Sequence, residues 1–262
     1  MSEPRWSRAL ITGASSGIGD SFCGLLAERG THLVLVARSE DVLENLAAQL
    51  RINDIDVEVL PADLTDEASL AKVEARLGDS SDPIDLLVNN AGFGTAGDFC
   101  ELDIERETRQ INLNVVAVVR LAHAAACSMH RHGGGGIINV SSIAGSMPGP
   151  KVAVYAGTKA FITSFGESLW MEEKDKGVSV TTVLPGPTRT KWSEVAEVDT
   201  SSAPEFIWSD PDDVATTALD AVAHGRPLAT HKATNRAMVQ VMRFAPRKVA
   251  RGIVQRMSDQ ST

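Results

Sequence analysis

The chain has 262 residues, of which 43% are apolar and 23% charged, and its formal net charge is −9 at pH 7. This composition excludes a disordered chain and argues against a general nucleic-acid binder, while the length suits one α/β domain over 1–262. Cys23, Cys100 and Cys127 form no C-x-x-C pair, which predicts buried thiols in a reducing compartment. Because no stretch reaches the roughly 18 apolar residues of a membrane span and no signal-peptide apolar region is present, we expect a cytoplasmic protein.

Strand and helix patterns alternate from Arg8 to Ser141, which is typical of βαβ units and a parallel sheet. Six apolar runs predict buried strands: 9–12, 33–36, 57–60, 86–88, 137–140 and 178–184. The segments between them predict helices. Gly30 and Gly177 stand where a left-handed glycine would end a helix. Ser39 and Thr65, each followed by two acids, are the predicted N-caps.

The middle of the chain carries a long apolar segment, 111–129, that is apolar nearly all round and should be buried on several sides. Asn112 and Asn114 interrupt it. Further on, residues 187–209 lack clear periodicity, as expected of a surface loop near a site. We therefore assign 187–210 as a substrate loop.

The C-terminal region predicts helices and a concentration of positive charge. Pro211 suits the first turn of a helix over 211–224, and Pro246 should divide the rest into two short helices. Their predicted apolar face comprises Met238, Val241, Met242 and Ala245. Residues 225–262 carry eight Lys/Arg and one acid, a balance of +7 that leaves −16 for the rest. This basic extension, 235–262, predicts a solvated face first, and a membrane surface or anionic ligand as the alternative.

A glycine-rich turn joins the first strand to the first helix, with the sequence Thr12-Gly-Ala-Ser-Ser-Gly-Ile-Gly19. Glycines let a backbone turn tightly and approach a pyrophosphate, and the following helix N-terminus offers free amides and a favourable dipole. The position at a first βα junction favours a nucleotide site over a purely structural turn.

The end of the second strand indicates which dinucleotide binds. An acid there would contact the ribose 2′-hydroxyl of NAD, whereas an arginine accommodates the 2′-phosphate of NADP. Arg38 follows Ala37, and no carboxylate occurs until Glu40. NADP(H) is therefore favoured over NAD(H), the alternative being a solvent-exposed arginine that opens a helix.

Tyr155 and Lys159 would lie on one face of a helix, one turn apart. A tyrosine has an ordinary pKa of about 10, and an adjacent cation lowers it toward the range useful for acid/base catalysis. The alternative to a catalytic pair is that both residues simply lie on a partly exposed face of the helix.

In their order and spacing these motifs resemble the short-chain dehydrogenase/reductase family over residues 8 to about 190. The motifs are Thr12-Gly-x-x-x-Gly-x-Gly19, Asn89-Asn90-Ala91-Gly92, Ser142 thirteen residues before Tyr155, and Tyr155-x-x-x-Lys159. The resemblance implies an α/β fold of Rossmann type: a doubly wound, mostly seven-stranded parallel sheet with helices on both faces. It also implies NAD(P)-dependent interconversion of an alcohol and a carbonyl.

The resemblance assigns catalytic roles. Tyr155 would donate a proton to the carbonyl oxygen, and Lys159 would lower the pKa of Tyr155 and hold the nicotinamide ribose. Ser142 would orient the substrate oxygen, with Ser141 as the competitor for that role. Asn112 would bind a water in a proton relay, the alternative being a buried asparagine bonded to a neighbouring backbone.

The resemblance also implies a set of cofactor-binding residues and no metal. The set comprises Gly13, Ser15, Ser16, Gly17, Ile18, Gly19, Arg38, Asp63, Leu64, Asn90, Ala91, Gly92, Tyr155, Lys159, Pro185, Gly186, Thr188 and Thr190. Asn90 and Gly92 would border the adenine ribose, and Asp63 would accept a hydrogen bond from the adenine amino group. The stretch 185–190 would grip the nicotinamide carboxamide.

The substrate is expected to be a small hydrophobic carbonyl compound or its alcohol, because aromatic and apolar residues occur where family substrates bind. These residues are Phe93, Phe99, Met147, Trp192, Phe206 and Trp208. The resemblance further predicts a homodimer or homotetramer, formed through helix 111–129 and the helix of Tyr155. Two alternatives stay open: a non-catalytic NADP-binding regulatory protein, and a reductase of lipid-like substrates at a membrane surface.

Overall fold

A seven-stranded parallel sheet forms the centre of the protein, in a computed structural model that describes residues 5–190, 205–246, 248–249, 251–252 and 254–255. The strands lie in the order β3-β2-β1-β4-β5-β6-β7. They are β1 (Arg8–Thr12), β2 (His32–Ala37), β3 (Val57–Pro61), β4 (Leu86–Asn89), β5 (Gly135–Val140), β6 (Val178–Val183) and β7 (Leu228–Ala229). The six predicted strands are confirmed, and the two-residue β7 pairs with the end of β6.

Helices cover both faces of this sheet, as the resemblance implied. They are α1 (Gly17–Ala27), α2 (Glu40–Leu50), α3 (Glu67–Gly78), α4 (Ile104–Ile111), α5 (Val118–His132), α6 (Ala153–Glu173), α7 (Pro211–Ala223) and α8 (Ala233–Phe244). One apolar core lies between the sheet and α1, α2 and α7, and a second lies between the sheet and α3 and α5. Alternate strand residues enter opposite cores, which is why the strands are apolar without interruption.

The predicted helix boundaries are largely confirmed, with one correction. Gly30 and Gly177 adopt φ angles of 78° and 82°, the left-handed conformation that ends a helix. Thr65, however, is not the N-cap of α3. The Asp66 carboxylate accepts the backbone N–H of Ser69 at 2.8 Å and caps the helix, while the Thr65 hydroxyl turns back to a neighbouring aspartate.

The long apolar helical segment extends further than predicted, from α4 through a π-helical turn at Asn112–Ala117 to α5. By length and composition this run, Ile104–His132, is the one described helix that could span a membrane, because an 18-residue window within it has a mean hydropathy of 1.4. The expectation of no such stretch is therefore wrong. Leu121, Ala125 and Met129 nevertheless pack in the second core. The run therefore serves as a core helix of the α/β layer, for which an apolar composition is also required.

Two expectations about exposure are corrected. Cys23 is buried, but Cys100 and Cys127 are exposed thiols. In α8 the buried residues are Asn235, Val239 and Met242, whereas Val241 of the predicted apolar face points to solvent with 57% of its surface exposed. Pro211 opens α7 as expected.

Candidate active site

A cleft of about 1150 Å³ opens at the carboxyl ends of the strands. It lies beside the neighbouring strands β1 and β4, whose following connections run to opposite faces of the sheet. Ligands of open α/β sheets bind at such a switch point. All the predicted cofactor-binding residues line this cleft except Gly19, which lies behind the loop that begins at Gly13. The sequence motifs are thus brought together from six different βα connections.

The glycine turn is a backbone cradle that side chains would fill. Gly13 and Gly17 have φ angles of 66° and 57°, which other residues rarely adopt. A Cβ on Gly19 would lie 2.1 Å from the carbonyl oxygen of Gly13, so α1 approaches the loop as closely as a backbone permits. A Cβ on Gly17 would meet the Thr190 methyl at 2.8 Å, which shows how narrow the cleft is between these two residues. This shape suits a phosphate group held by backbone amides at the start of α1.

Asn90 and Thr12 fasten the cradle to the sheet. The Asn90 side-chain amide donates to the carbonyl oxygens of Thr12 at 3.0 Å and of Gly13 at 3.2 Å. The Thr12 hydroxyl accepts the backbone N–H groups of Asn90 and Ala91, both at 3.0 Å, and donates to Val88. The Asn-Asn-Ala-Gly motif therefore acts on the cofactor site through the loop that it holds in place.

At one end of the cleft, the exposed Arg38 lies near the Asp63 carboxylate. Asp63 accepts the backbone N–H of Thr65 at 2.9 Å and its hydroxyl at 2.7 Å, and the Arg109 guanidinium lies 3.8 Å away. Partial burial favours the neutral acid, but the Thr65 hydrogen bonds, with help from Arg109 and Arg38, hold the pKa of Asp63 below its ordinary value. Asp63 is therefore a hydrogen-bond acceptor at neutral pH.

Tyr155 and Lys159 project from α6 toward the end of β5. Lys159 is 6% exposed, and its ammonium donates to the carbonyl oxygen of Val140 at 2.9 Å and lies 5.9 Å from the centre of the Tyr155 ring. Ser142 is hydrogen-bonded to Tyr155. Three of the four predicted catalytic side chains, those of Ser142, Tyr155 and Lys159, thus meet on one wall of the cleft.

The two candidate serines are separated by their partners. The Ser141 hydroxyl donates to the carbonyl oxygen of Lys159 at 2.8 Å and contacts the Thr163 hydroxyl at the same distance, so it fixes α6 to the sheet. Ser142 instead contacts the reactive Tyr155 hydroxyl, and its Oγ accepts the backbone N–H of Ala144 at 3.1 Å. This geometry favours Ser142 for substrate contact.

Burial shifts the pKa values of Tyr155 and Lys159 in opposite directions. It raises the pKa of Tyr155 to about 12, with the Ser142 hydrogen bond opposing the rise, and it lowers the pKa of Lys159 to about 8. The expected lowering of the Tyr155 pKa is therefore wrong in this geometry. Lys159 directs its ammonium at a carbonyl oxygen rather than at the phenol, and removal from water outweighs its charge.

Asn114, and not Asn112, lies beside the catalytic lysine. Its side-chain oxygen accepts the backbone N–H of Phe93 at 3.2 Å, and its nitrogen donates to the carbonyl oxygen of Phe93 at 2.9 Å. A Cβ on Gly92 would lie 2.9 Å from Oδ1 of Asn114 and 3.5 Å from Nζ of Lys159. Asn112 is half-buried and does not line the cleft. The geometry thus brings Asn114, rather than the predicted Asn112, next to Lys159.

The opposite end of the cleft is apolar. Of the predicted substrate residues, Phe93, Met147 and Trp208 line it, whereas Phe99 is exposed elsewhere. Trp192 and the side chain of Phe206 lie outside the described part of the structure. Further apolar lining residues were not predicted, among them Ile143, Val152, Ile207 and Val254. They have aliphatic side chains, and nothing in the sequence alone distinguishes them from core residues.

Comparison with known proteins agrees with this geometry. Residues 7–200 match the sequence profile described as short chain dehydrogenase. A very-long-chain 3-oxoacyl-CoA reductase of Bos taurus is 32% identical over 192 residues, which are 71% of this chain and 61% of that protein, so the chain spans less than two thirds of this relative.

Two solved structures share the fold over nearly the whole chain. A short-chain dehydrogenase from Sphingobium yanoikuyae, in complex with NADPH, has a TM-score of 0.82 and 37% identity and covers 90% of this chain and 93% of its own. The bulky-bulky ketone specific alcohol dehydrogenase from Comamonas testosteroni has a TM-score of 0.77 and 34% identity, and the match covers 92% of this chain and 95% of that protein's chain.

Proposed function

Since this chain belongs to the short-chain dehydrogenase family, we propose that it is an NADP(H)-dependent oxidoreductase that interconverts a hydrophobic ketone or aldehyde and its alcohol. The observation that carries the proposal is the hydrogen-bonded pair of Tyr155 and Ser142, with Lys159 one turn along α6, on the wall of the cleft that the glycine cradle opens. A proton donor thus lies where a dinucleotide and a carbonyl group can be held together.

The residues present fit a dinucleotide cofactor. Backbone amides around Gly13 and Gly17 would hold its pyrophosphate, Asp63 its adenine amino group, and Lys159 the ribose next to the nicotinamide. Thr188, whose hydroxyl donates to Gly186 at 2.9 Å, lies at the nicotinamide end of the cleft. When bound, NADP(H) supplies or accepts the hydride.

The protein's own contribution is the proton. With a pKa of about 12, the Tyr155 hydroxyl keeps its proton at neutral pH and can donate it to the substrate oxygen during reduction. Ser142 would hold the same oxygen by a hydrogen bond. The Lys159 ammonium, charged below about pH 8, would then stabilise the phenolate that Tyr155 becomes. Asn114, adjoining Lys159 across Gly92, would lead the replacement proton in from solvent.

The cofactor preference is tested by a charge substitution. Arg38 is exposed beside the cleft, and one related structure of this fold holds NADPH. We expect Arg38→Ala to weaken NADPH binding by about 10- to 100-fold, the equivalent of a lost charge-assisted hydrogen bond, and to change NADH binding less than twofold. Arg29→Ala, an exposed arginine at the far end of α1, serves as the control. Equal loss for both cofactors would overturn the preference for NADP(H).

Activity is tested by NADPH oxidation with a panel of hydrophobic ketones and aldehydes. Tyr155→Phe removes one oxygen and keeps the ring, so we expect a loss of about 100- to 10,000-fold in kcat/KM with unchanged NADPH affinity. Equal turnover by Tyr155→Phe would remove this residue from the mechanism. Binding of NADPH with no turnover of any carbonyl in the panel would favour the regulatory, non-catalytic alternative.

We also propose that the protein forms a homodimer or homotetramer. Four large apolar residues are exposed on the outer sides of α4, the π-helical turn and α6: Ile104, Ile111, Val116 and Phe161. Exposed apolar residues grouped in this way mark contact surfaces. Sedimentation equilibrium of the native protein and of Phe161→Asp tests this, and a native monomer would contradict it. Its three free cysteines favour a reducing compartment, for which we propose the cytoplasm.

A further inference from the structure

Helix α8 has two apolar sides. Asn235, Val239 and Met242, at helical spacing, are buried against the body of the protein. On the opposite side, Val241 and Phe244 follow Ala237 at the same spacing and point to solvent, with 57% and 79% of their surfaces exposed. A helix that needed only to cover the core would carry polar residues on this outer side.

Positive charge flanks the outward apolar side. Arg236, Gln240 and Arg243 form the neighbouring stripe of α8 and are all exposed. Beyond Pro246, the exposed Lys248 and Arg251 accompany Val249, which is 51% exposed. We call these exposed residues the C-terminal surface: Arg236, Ala237, Val241, Arg243, Phe244, Lys248, Val249 and Arg251. It lies within the region of balance +7, while the rest of the chain sums to −16.

This region also forms part of the rim of the cleft. Asn235 packs closely on Gly186: a Cβ added to Gly186 would lie 2.4 Å from the side-chain nitrogen of Asn235. The Lys232 ammonium donates to the carbonyl oxygen of Trp208, a residue that lines the apolar end of the cleft. Val254 lines the same end and lies against Gly149. The helix that carries the C-terminal surface therefore packs, through its buried side, against the rim of the cleft.

We propose that the C-terminal surface docks the protein on a bilayer that contains anionic lipids. A helix side with aromatic and aliphatic residues next to arginines matches the two layers of such a surface, acyl chains and charged headgroups. The strongly acidic remainder of the chain is repelled by the same headgroups, which fixes the orientation of the docked molecule. Membrane docking does not depend on the proposed reaction. Only the delivery of a lipid-like substrate to the cleft would depend on the proposed function.

The test is cosedimentation of the full chain with vesicles of phosphatidylcholine alone and of phosphatidylcholine mixed with phosphatidylserine in equal parts. We expect at least tenfold tighter binding to the phosphatidylserine vesicles. The difference should disappear in about 1 M salt, where charges are screened within about 3 Å. Binding that is equal for both vesicles, or absent from both, overturns the proposal.

Matched variants locate the contact. Val241→Asp combined with Phe244→Asp should weaken binding to phosphatidylserine vesicles at least tenfold, whereas Ile52→Asp, at a site 84% exposed near β3, should change it less than twofold. Arg236→Gln combined with Lys248→Gln should also weaken it, and Lys72→Gln with Arg29→Gln should not. Equal effects of test and control variants would contradict docking through this surface.

Two further readouts separate the outcomes. All variants should bind NADPH as the native protein does, so a failure of docking is distinguishable from a failure of the proposed function. Sedimentation equilibrium is run in parallel, because the acidic body of a second copy could also cover the C-terminal surface. If Val241→Asp with Phe244→Asp lowers the oligomer mass and the native protein ignores the vesicles, the surface joins copies of this chain and membrane docking is refuted.

Discussion

The third glycine of the phosphate loop can be tested by adding a single methyl group. In Gly19→Ala the new Cβ would lie 2.1 Å from the carbonyl oxygen of Gly13 and 2.6 Å from the side-chain nitrogen of Asn90. Carbon and oxygen atoms approach no closer than about 3.3 Å even in weak hydrogen bonds, so α1 and the loop must separate by roughly 1.2 Å. The neighbour that must move is backbone, which cannot rotate away as a side chain could.

The cost follows from what the separation breaks. Asn90 loses hydrogen bonds to the carbonyl oxygens of Thr12 and Gly13, now 3.0 and 3.2 Å long, each worth about 1 kcal/mol. Overpacking adds about 1 to 3 kcal/mol. We therefore expect Gly19→Ala to lower the free energy of unfolding by about 3 to 5 kcal/mol, and to lower NADPH affinity at least tenfold because the phosphate cradle shifts.

Gly24→Ala is the matched control, because it makes the same change in the same helix. A Cβ on Gly24 meets nothing within 4 Å, and the residue lies inside α1. Alanine favours a helix over glycine by about 0.5 to 1 kcal/mol, so this variant should be as stable as the native protein or slightly more so. Its NADPH affinity should stay within twofold.

Both variants are compared by denaturant unfolding followed by circular dichroism and by fluorescence titration with NADPH. The reasoning is refuted if Gly19→Ala unfolds at the same denaturant concentration as Gly24→Ala, or if the two bind NADPH equally. A destabilised Gly19→Ala with native affinity would show that the close contact supports the fold without shaping the cradle.

Three further expectations concern titration, the relay and a buried acid. Because burial lowers the pKa of Lys159 to about 8, the ammonium is present below that pH and lost above it, so kcat/KM for reduction should fall above about pH 8. In Lys159→Arg that fall should be absent from the pH profile, although kcat/KM itself is lower than in the native protein. A native kcat/KM that stays constant up to pH 10 would contradict this. Asn114→Ala should reduce kcat/KM about tenfold or more while Asn112→Ala stays within twofold in steady-state assays, and the reverse order would restore Asn112 to the relay. Glu107 is buried on α4, and neither of its carboxylate oxygens is hydrogen-bonded in the described residues. Glu107→Met should therefore raise the free energy of unfolding by about 1 to 3 kcal/mol, measured by thermal denaturation. A lower stability of this variant would mean that the acid has a partner.

Features that depend on nearby residues were predictable from sequence. The strands that enter both cores require uninterrupted apolar runs, and the glycines that end helices require a left-handed backbone, so each leaves a local pattern. Helical spacing alone pairs Tyr155 with Lys159, whereas Ser142 is assigned through the resemblance to the short-chain dehydrogenase/reductase family. The short β7 leaves no such pattern, because two residues pair only after β6 is in place.

Features that depend on helical phase or on tertiary packing were not predictable. Asn112 and Asn114 lie about 200° apart on an ideal helix of 3.6 residues per turn, so only one can face Lys159. The π-helical turn that contains them changes the phase and brings Asn114 inward. The sequence pattern places Val241 and Met242 on one apolar face for a similar reason: two apolar stripes exist on α8, and only packing decides which one is buried.

Lys159 shows why the catalytic wall could not be derived from local rules of stability. Its pKa falls from 10.5 to about 8 on burial, so folding with the charged ammonium costs about 3 kcal/mol. Because the folded pKa is the lower one, this cost is fully present below pH 8 and disappears as the pH rises past 10.5. A partner carboxylate would reduce this cost, yet in the described part of the chain the ammonium donates to the carbonyl oxygen of Val140 and to no carboxylate. An ammonium buried with donor capacity to spare binds the hydroxyl groups of a ligand more strongly than one neutralised by an acid. In the proposed mechanism, the destabilising burial of Lys159 would therefore keep its ammonium able to hold a cofactor and a phenolate at the same site.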